Sequence, residues 1–181
     1  MLKTIIQAES TGKKANNIVN DIQILSGYSP GAIGKVVELH ATYYAQHWGF
    51  GLFFEAMIAT GLASFLSRYD ERQDRFWIAV DGQRIVGSIT IDGSEAANKG
   101  AHLRWFILDP EYQGKGIGNL LMGEAMRFCE EQNFQRVYLS TFAGLDSARH
   151  LYEKWGFKLV VEHESDTWGV RVKEQTFELD R

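Results

Sequence analysis

The sequence predicts an α+β fold on a mixed, mostly antiparallel central sheet flanked by helices. Three observations carry this. His102 to Leu108 alternates as a strand does, stops at Asp109-Pro110, and continues through Gln113-Gly114-Lys115-Gly116-Ile117-Gly118 into an amphipathic helix. Asp81-Gly82-Gln83 separates two strand-like runs, a strong hairpin signal. The order of periodicities is strand, two helices, three strands, helix, strand, helix, two strands, which suits a mixed sheet rather than a regular βαβ series.

Taken in order, residues 1–20 carry Lys3, Lys13 and Lys14 among small polar residues and read as a partly ordered extension, with one domain over 21–181. Ile22 to Leu25 makes a first strand. Ser29-Pro30 predicts a helix start, serine as cap and proline in the first turn. Ile33, Val36, Val37, His40 and Tyr44 follow at helical spacing, and the helix should end near His47-Trp48-Gly49. A second helix is expected from Gly51 to Arg68, with Leu52, Ala56, Ala59, Ala63 and Leu66 as its stripe. Phe76–Val80 and Arg84–Ile91 form the hairpin. A polar loop, Asp92 to Lys99, leads to the third strand, where Leu103, Trp105 and Ile107 should share one face and His102, Arg104, Phe106 and Leu108 the other. Ile117, Leu120, Leu121, Ala125, Phe128 and Cys129 mark the face of the following helix. Val137–Thr141 is a strand, Ser147–Trp155 a helix, and Leu159–Glu164 with Val172–Leu179 a closing hairpin.

Bulk properties narrow the function. The 181 residues suffice for a sizeable core, and 45% hydrophobic content excludes a disordered chain. A net charge of −4 argues against a dedicated nucleic-acid surface. The lone Cys129 excludes an internal disulfide, and the first residues lack a secretory pattern, so a cytoplasmic location is expected. Phe50 to Leu66 is short for a membrane span and is interrupted by Glu55, Thr60 and Ser64, so no membrane partner is expected. No cysteine–histidine cluster suggests a metal.

The strand, glycine-rich turn and helix amino terminus make an anion site, because glycines let successive N–H groups converge and the helix end adds positive charge. A nucleotide P-loop would end Gly-Lys-Ser/Thr, whereas Gly114-Lys115 runs into Gly116. A dinucleotide fingerprint would need glycine where Asn119 stands. What fits is Q/R-x-x-G-x-G, through Gln113, Gly116 and Gly118. A second segment, Thr141 to Phe157, fits A-x-x-L-Y-x-x-x-G-F through Ala148, Leu151, Tyr152, Gly156 and Phe157. By these two motifs, in order and at a usual separation, the sequence resembles the GNAT superfamily of acyl-coenzyme A-dependent N-acyltransferases over roughly residues 20 to 180. It also resembles the acetyltransferase domains found fused to MarR-like DNA-binding domains. Nothing before residue 20 could supply such a reader, so no nucleic-acid partner is expected.

The resemblance implies a sheet splayed at the cofactor site and acetyl-coenzyme A as co-substrate. Backbone amides of Gln113, Gly114, Lys115, Gly116, Ile117 and Gly118 would hold the pyrophosphate. Main-chain groups of Ile107 and Leu108 would pair with the pantetheine arm. Lys115 either adds charge to the adenosine phosphates or is a solvated lysine. Tyr152 would be the general acid that protonates the departing thiolate; it also lies on the apolar stripe Ala148, Leu151, Tyr152, Trp155, so a packed core tyrosine is the competing role. Many members carry asparagine where this chain has Leu145, which removes one polar cofactor contact. His102, on the strand where some members place a carboxylate base, could take the amine's proton with a pKa near 6.5; a strand histidine is the alternative. At the helix junction, His40, Tyr43, Tyr44, His47, Trp48, Phe53, Phe54 and Glu55 form an aromatic set with one carboxylate. Trp48 and Glu55 are expected to hold a cationic amine there, with Tyr44 and Phe53 in the core. The expected activity is an acetyl-CoA-dependent N-acetyltransferase acting on a small amine or amino-acid-like acceptor. An acyl-CoA-binding sensor with little turnover is the alternative, and a homodimer stays open.

Overall fold

Gly82, at φ 57, and Gln83 form the two-residue loop that folds β2 (Arg75–Asp81) onto β3 (Arg84–Asp92), in register Asp81 to Arg84. The structure, a computed structural model, describes residues 22–181; the expected extension over 1–20 lies outside the described residues. β4 (Ala101–Leu108) continues the meander antiparallel to β3, and β1 (Ile22–Ser26) pairs with the outer edge of β2. Beyond β4 lie β5 (Arg136–Phe142), parallel to it, then β7 (Val172–Asp180) and β6 (Lys158–Ser165). The single sheet therefore has the order β1-β2-β3-β4-β5-β7-β6, mixed and mostly antiparallel as expected.

Helices α1 (Ala32–Trp48) and α2 (Leu52–Ser67) cover one face, closing a core around Val36, Leu62, Phe65, Phe76 and Ile78. On the other face α3 (Ile117–Glu131) buries Ile117, Leu121, Met122, Ala125 and Phe128, and α4 (Asp146–Lys154) adds Tyr152. Fully buried side chains such as Phe65 and Phe76 each contribute about 1.5–3 kcal/mol of transfer free energy. Cys129 lies inside this second core, where burial pushes its thiol up to about 12 and keeps it inert.

Local expectations fail where backbone geometry or packing overrides them. The α1 start falls two residues later than Ser29-Pro30 predicts: Gly31, at φ 87, is the cap, and the Ala32 amide donates to the Ser29 carbonyl. The expected α2 stripe is also displaced. Phe54, Leu62 and Phe65 are buried, while Leu52 is 83% and Phe53 62% exposed. This helix is apolar nearly all round, so periodicity cannot choose its face, and packing against the sheet does. On α3, Leu120 turns outward and Met122 and Met126 pack inside.

The main correction concerns β4. Thr90 pairs with Arg104 but Ser88 with Ile107, so Trp105 and Phe106 together face the single residue Ile89. Trp105 sits at φ 45, and the Ser88 hydroxyl donates to its displaced carbonyl at 2.7 Å. This bulge breaks the period of two. Leu103 faces the α3 side, whereas Trp105 and Ile107 face α1 and α2.

Candidate active site

On its other edge the same strand, β4, parts from its neighbour. β4 and β5 pair only at Ala101–Val137 and His102–Tyr138, while β7 holds β5 along all of Arg136–Phe142. Past His102 the edge of β4 facing β5 has no ladder partner among the described residues, which leaves the main chain around Ile107 and Leu108 accessible to an extended ligand. A cavity of about 210 Å³ occupies the gap, bounded by α1, α2, Leu103 to Phe106, Leu139 to Phe142, Tyr152 and Trp168.

Below the gap, Asp109 accepts from the Glu111 amide and starts a 3₁₀ turn, Pro110–Tyr112. Gly114 and Gly116 follow at φ 72 and 84, conformations that side chains disfavour, and Gly116 caps α3. As a result the amides of Gly114, Lys115, Gly116, Ile117 and Gly118 donate to no backbone acceptor among the described residues. A methyl group at Gly114 or Gly116 would meet nothing within 4 Å, so the space beside these two residues is open. At Gly118 a Cβ would make ordinary contacts, 3.4 Å from Phe106 and 3.5 Å from Leu151. The Gln113 side chain donates to the Leu108 carbonyl at 3.1 Å and ties the turn to the strand. Lys115 folds back, donating to the Glu111 carbonyl and sitting over the Tyr112 ring.

Tyr152 projects from α4 into the cavity wall and packs against Phe106, Phe157 and Phe177. Burial raises its hydroxyl above the ordinary phenol range, so it is a neutral donor at neutral pH. The two roles considered for it, core residue and acid, are thus compatible in one position.

His102 faces the same cavity, stacked on Tyr138 with ring centroids 4.3 Å apart. Its ordinary pKa is not kept: burial, helped by neighbouring Arg104, holds it down to about 3. His40 was grouped on sequence with the aromatic set, not with the bases, yet it too lines the cavity. Its Nδ1 lies 2.8 Å from the Val36 carbonyl, which can only accept, so Nδ1 carries the proton and Nε2 the lone pair. Burial lowers its pKa to about 4. Both imidazoles are neutral at neutral pH.

The other predicted acceptor residues lie elsewhere. Glu55 is exposed on the first turn of α2, makes no ion pair among the described residues, and does not line the cavity. Trp48 packs its ring on Tyr44 and Phe142 behind the lining. Tyr44 does line the cavity, and Phe53 does not. Sequence reasoning missed Arg104 as a site residue, although it had placed Arg104 on the same strand face as His102. Among the described residues no group of three or more His, Cys, Asp or Glu could hold a metal ion, and no helix is long and apolar enough to cross a membrane.

Residues 35–157 match the family model described as Acetyltransferase (GNAT) family. The chain belongs to the GNAT acetyltransferase family. It is 30% identical over 132 residues to the N-acetylaspartate synthetase of Danio rerio, covering 72% of this chain and 46% of that protein. The counterpart of Xenopus tropicalis is 37% identical over 90 residues, 49% of this chain and 33% of that protein. The chain thus spans less than half the length of these relatives. An acetyltransferase structure from Streptococcus agalactiae superimposes with a TM-score of 0.69 at 23% identity, covering 89% of this chain and 99% of that one. A Salmonella typhimurium protein solved with its cofactor acetyl-CoA gives a TM-score of 0.69 at 12% identity, over 89% and 94% of the two chains. The mixed seven-stranded sheet flanked by helices is therefore the fold of these acetyltransferases.

Proposed function

We propose that this protein is an acetyl-CoA-dependent N-acetyltransferase that acylates the primary amine of a small, amino-acid-like acceptor by direct attack on the thioester. One observation carries the reading: five open amides, Gly114 to Gly118, lie below a parted strand pair whose gap is lined by the buried Tyr152. The residues present fit acetyl-CoA. The amides suit its diphosphate, and the free β4 edge around Ile107 and Leu108 suits the amide-bearing pantetheine arm. Leu145, at the cap of α4, offers no polar side chain, so main-chain groups carry this recognition. When bound, the co-substrate supplies an activated acetyl thioester.

The protein's own groups do the rest. Tyr152 donates a proton to the leaving sulfur, a task for a neutral hydroxyl. His102 and His40, held neutral, accept hydrogen bonds from the attacking amine. With pKa values near 3 and 4 they orient the amine without taking its proton, which leaves to solvent as the amide bond forms and the thiolate is protonated by Tyr152. The apolar walls, Phe54, Ile58 and Phe142 among them, limit competing water. The N-acetylaspartate synthetases to which the chain is similar support an amino-acid-like acceptor.

The test is thiol release from acetyl-CoA by the purified protein across a panel of amines. Release that requires both an amine and Tyr152 supports the reading. Cofactor-induced stabilisation with no release for any amine would instead favour an acyl-CoA-binding sensor.

A further inference from the structure

We propose that the acceptor carries a carboxylate close to its amine and that Arg104 is the side chain that pairs with it. This rests on the acetyltransferase reading and names the substrate class for the same cavity. Among the described residues the lining contains no aspartate or glutamate, and Arg104 is its one permanent cation. A cationic acceptor without a compensating acid would meet no opposite charge there. A carboxylate would.

Arg104 is only loosely committed elsewhere. Its acidic neighbour, Asp92, is already engaged: Oδ2 accepts from Arg68 at 2.5 Å, and Oδ1 accepts from the Ser94 hydroxyl at 2.7 Å and the Ser94 amide at 3.2 Å. Arg104 reaches Asp92 only through Nη1 at 3.4 Å, well beyond the roughly 2.7–2.9 Å of a strong charge-assisted bond. Among the described residues Nε and Nη2 have no acceptor. Burial lowers the guanidinium's proton affinity relative to the usual arginine, and the long contact with Asp92 offsets this only in part.

The β4 bulge produces this arrangement. In a regular strand residues 104 and 105 point to opposite faces. Here both meet α2 at Gly61, where a Cβ would stand 3.3 Å from the Trp105 ring and 3.6 Å from Arg104 Nη2. The guanidinium carbon consequently lies 4.0 Å from the Trp105 ring centroid. Stacking holds the planar fork and leaves its donor edge for a second plane, which suits a bidentate carboxylate. Gly61 gives the pair its room, and the parted β5 leaves it open to the cavity.

The experiment has two arms. In the first, thiol release is measured with phenylalanine against phenylalaninamide and phenylethylamine, and with aspartate and lysine against their amides. The free acids should be preferred by about 100-fold in kcat/KM. Arg104→Gln should reduce that preference to within a factor of about three, mainly through acceptor KM, with the acetyl-CoA-induced melt shift retained as the sign of an intact fold. Arg104→Lys should recover only part of it, because the fork is lost. The second arm needs no turnover: calorimetric binding of N-acetylphenylalanine, N-acetylaspartate and their amides to the CoA-loaded protein. At least one acid should bind about 10-fold or more tightly than its amide, and Arg104→Gln should remove the difference. Absence of thiol release with acid-selective binding retained would sink the enzymatic reading and leave the carboxylate site standing. Equal handling of acids and amides in the parent, no binding of either, or unchanged selectivity in Arg104→Gln overturns the proposal.

Discussion

Gly116→Val tests the anion cradle with a change whose two effects separate. Gly116 sits at φ 84, and an added Cβ would meet nothing within 4 Å, so folding suffers from backbone strain and not from collision. A left-handed conformation costs an L-residue roughly 1–2 kcal/mol, and a β-branched one more. At about 2–4 °C per kcal/mol for a chain of this size, the melting temperature should fall by a few degrees or more. Binding should suffer separately, because the side chain enters the space beside the open amides. For the parent, ligand at about 100 times its Kd adds about 2.7 kcal/mol, so acetyl-CoA should raise the melting temperature by about 5–10 °C. In Gly116→Val that rise should disappear. Gly123→Ala is the control: it lies on the same helix, where its methyl group would make ordinary contact with Trp155 at 3.7 Å, and it should keep the full rise. Thermal melts with and without millimolar acetyl-CoA decide the matter. A full-sized rise in Gly116→Val means that the phosphates bind elsewhere, and none in the parent removes acetyl-CoA from the account.

Tyr152→Phe should lower kcat by roughly 10²–10⁴-fold with acetyl-CoA affinity nearly unchanged; activity within about twofold of the parent would make Tyr152 a packing residue only. Stability should fall as pH drops below about 6.5, because unfolded histidine binds a proton there while native His40, at about 4, does not. That difference amounts to about 3 kcal/mol by pH 4, and His102 adds in the same direction. Urea melts between pH 4 and 7 should therefore show a steeper slope in the parent than in His40→Asn, which keeps a donor for the Val36 carbonyl; equal slopes would refute the assignment. Glu55→Gln should leave acceptor KM within about twofold, since Glu55 lies outside the cavity lining; a several-fold rise for any accepted amine would return the pocket to the helix junction.

Sequence alone determined what depends on neighbouring residues along the chain. The Asp81-Gly82 hairpin, the element order, the glycine turn and Tyr152 on α4 are all local, set by backbone permissiveness and by periodicity within one element. Tertiary structure decided what depends on a partner. The β4 bulge is a matter of register against β3, and the alternation from His102 to Leu108 contains no mark of it. That one extra residue moved Trp105 and Ile107 to the α1–α2 face, set Arg104 on the indole, and accompanied the parting of β4 from β5. The face of α2 was equally undecided, because an almost uniformly apolar helix is oriented by volume and shape, not by pattern. For the same reason Glu55, attractive as the junction's lone carboxylate, fell on the solvent side, and the charge in the cavity came from a strand residue. The histidines show the remaining limit: the imidazole was legible, but its proton affinity is set by desolvation, which exists only once the surrounding elements have closed over it.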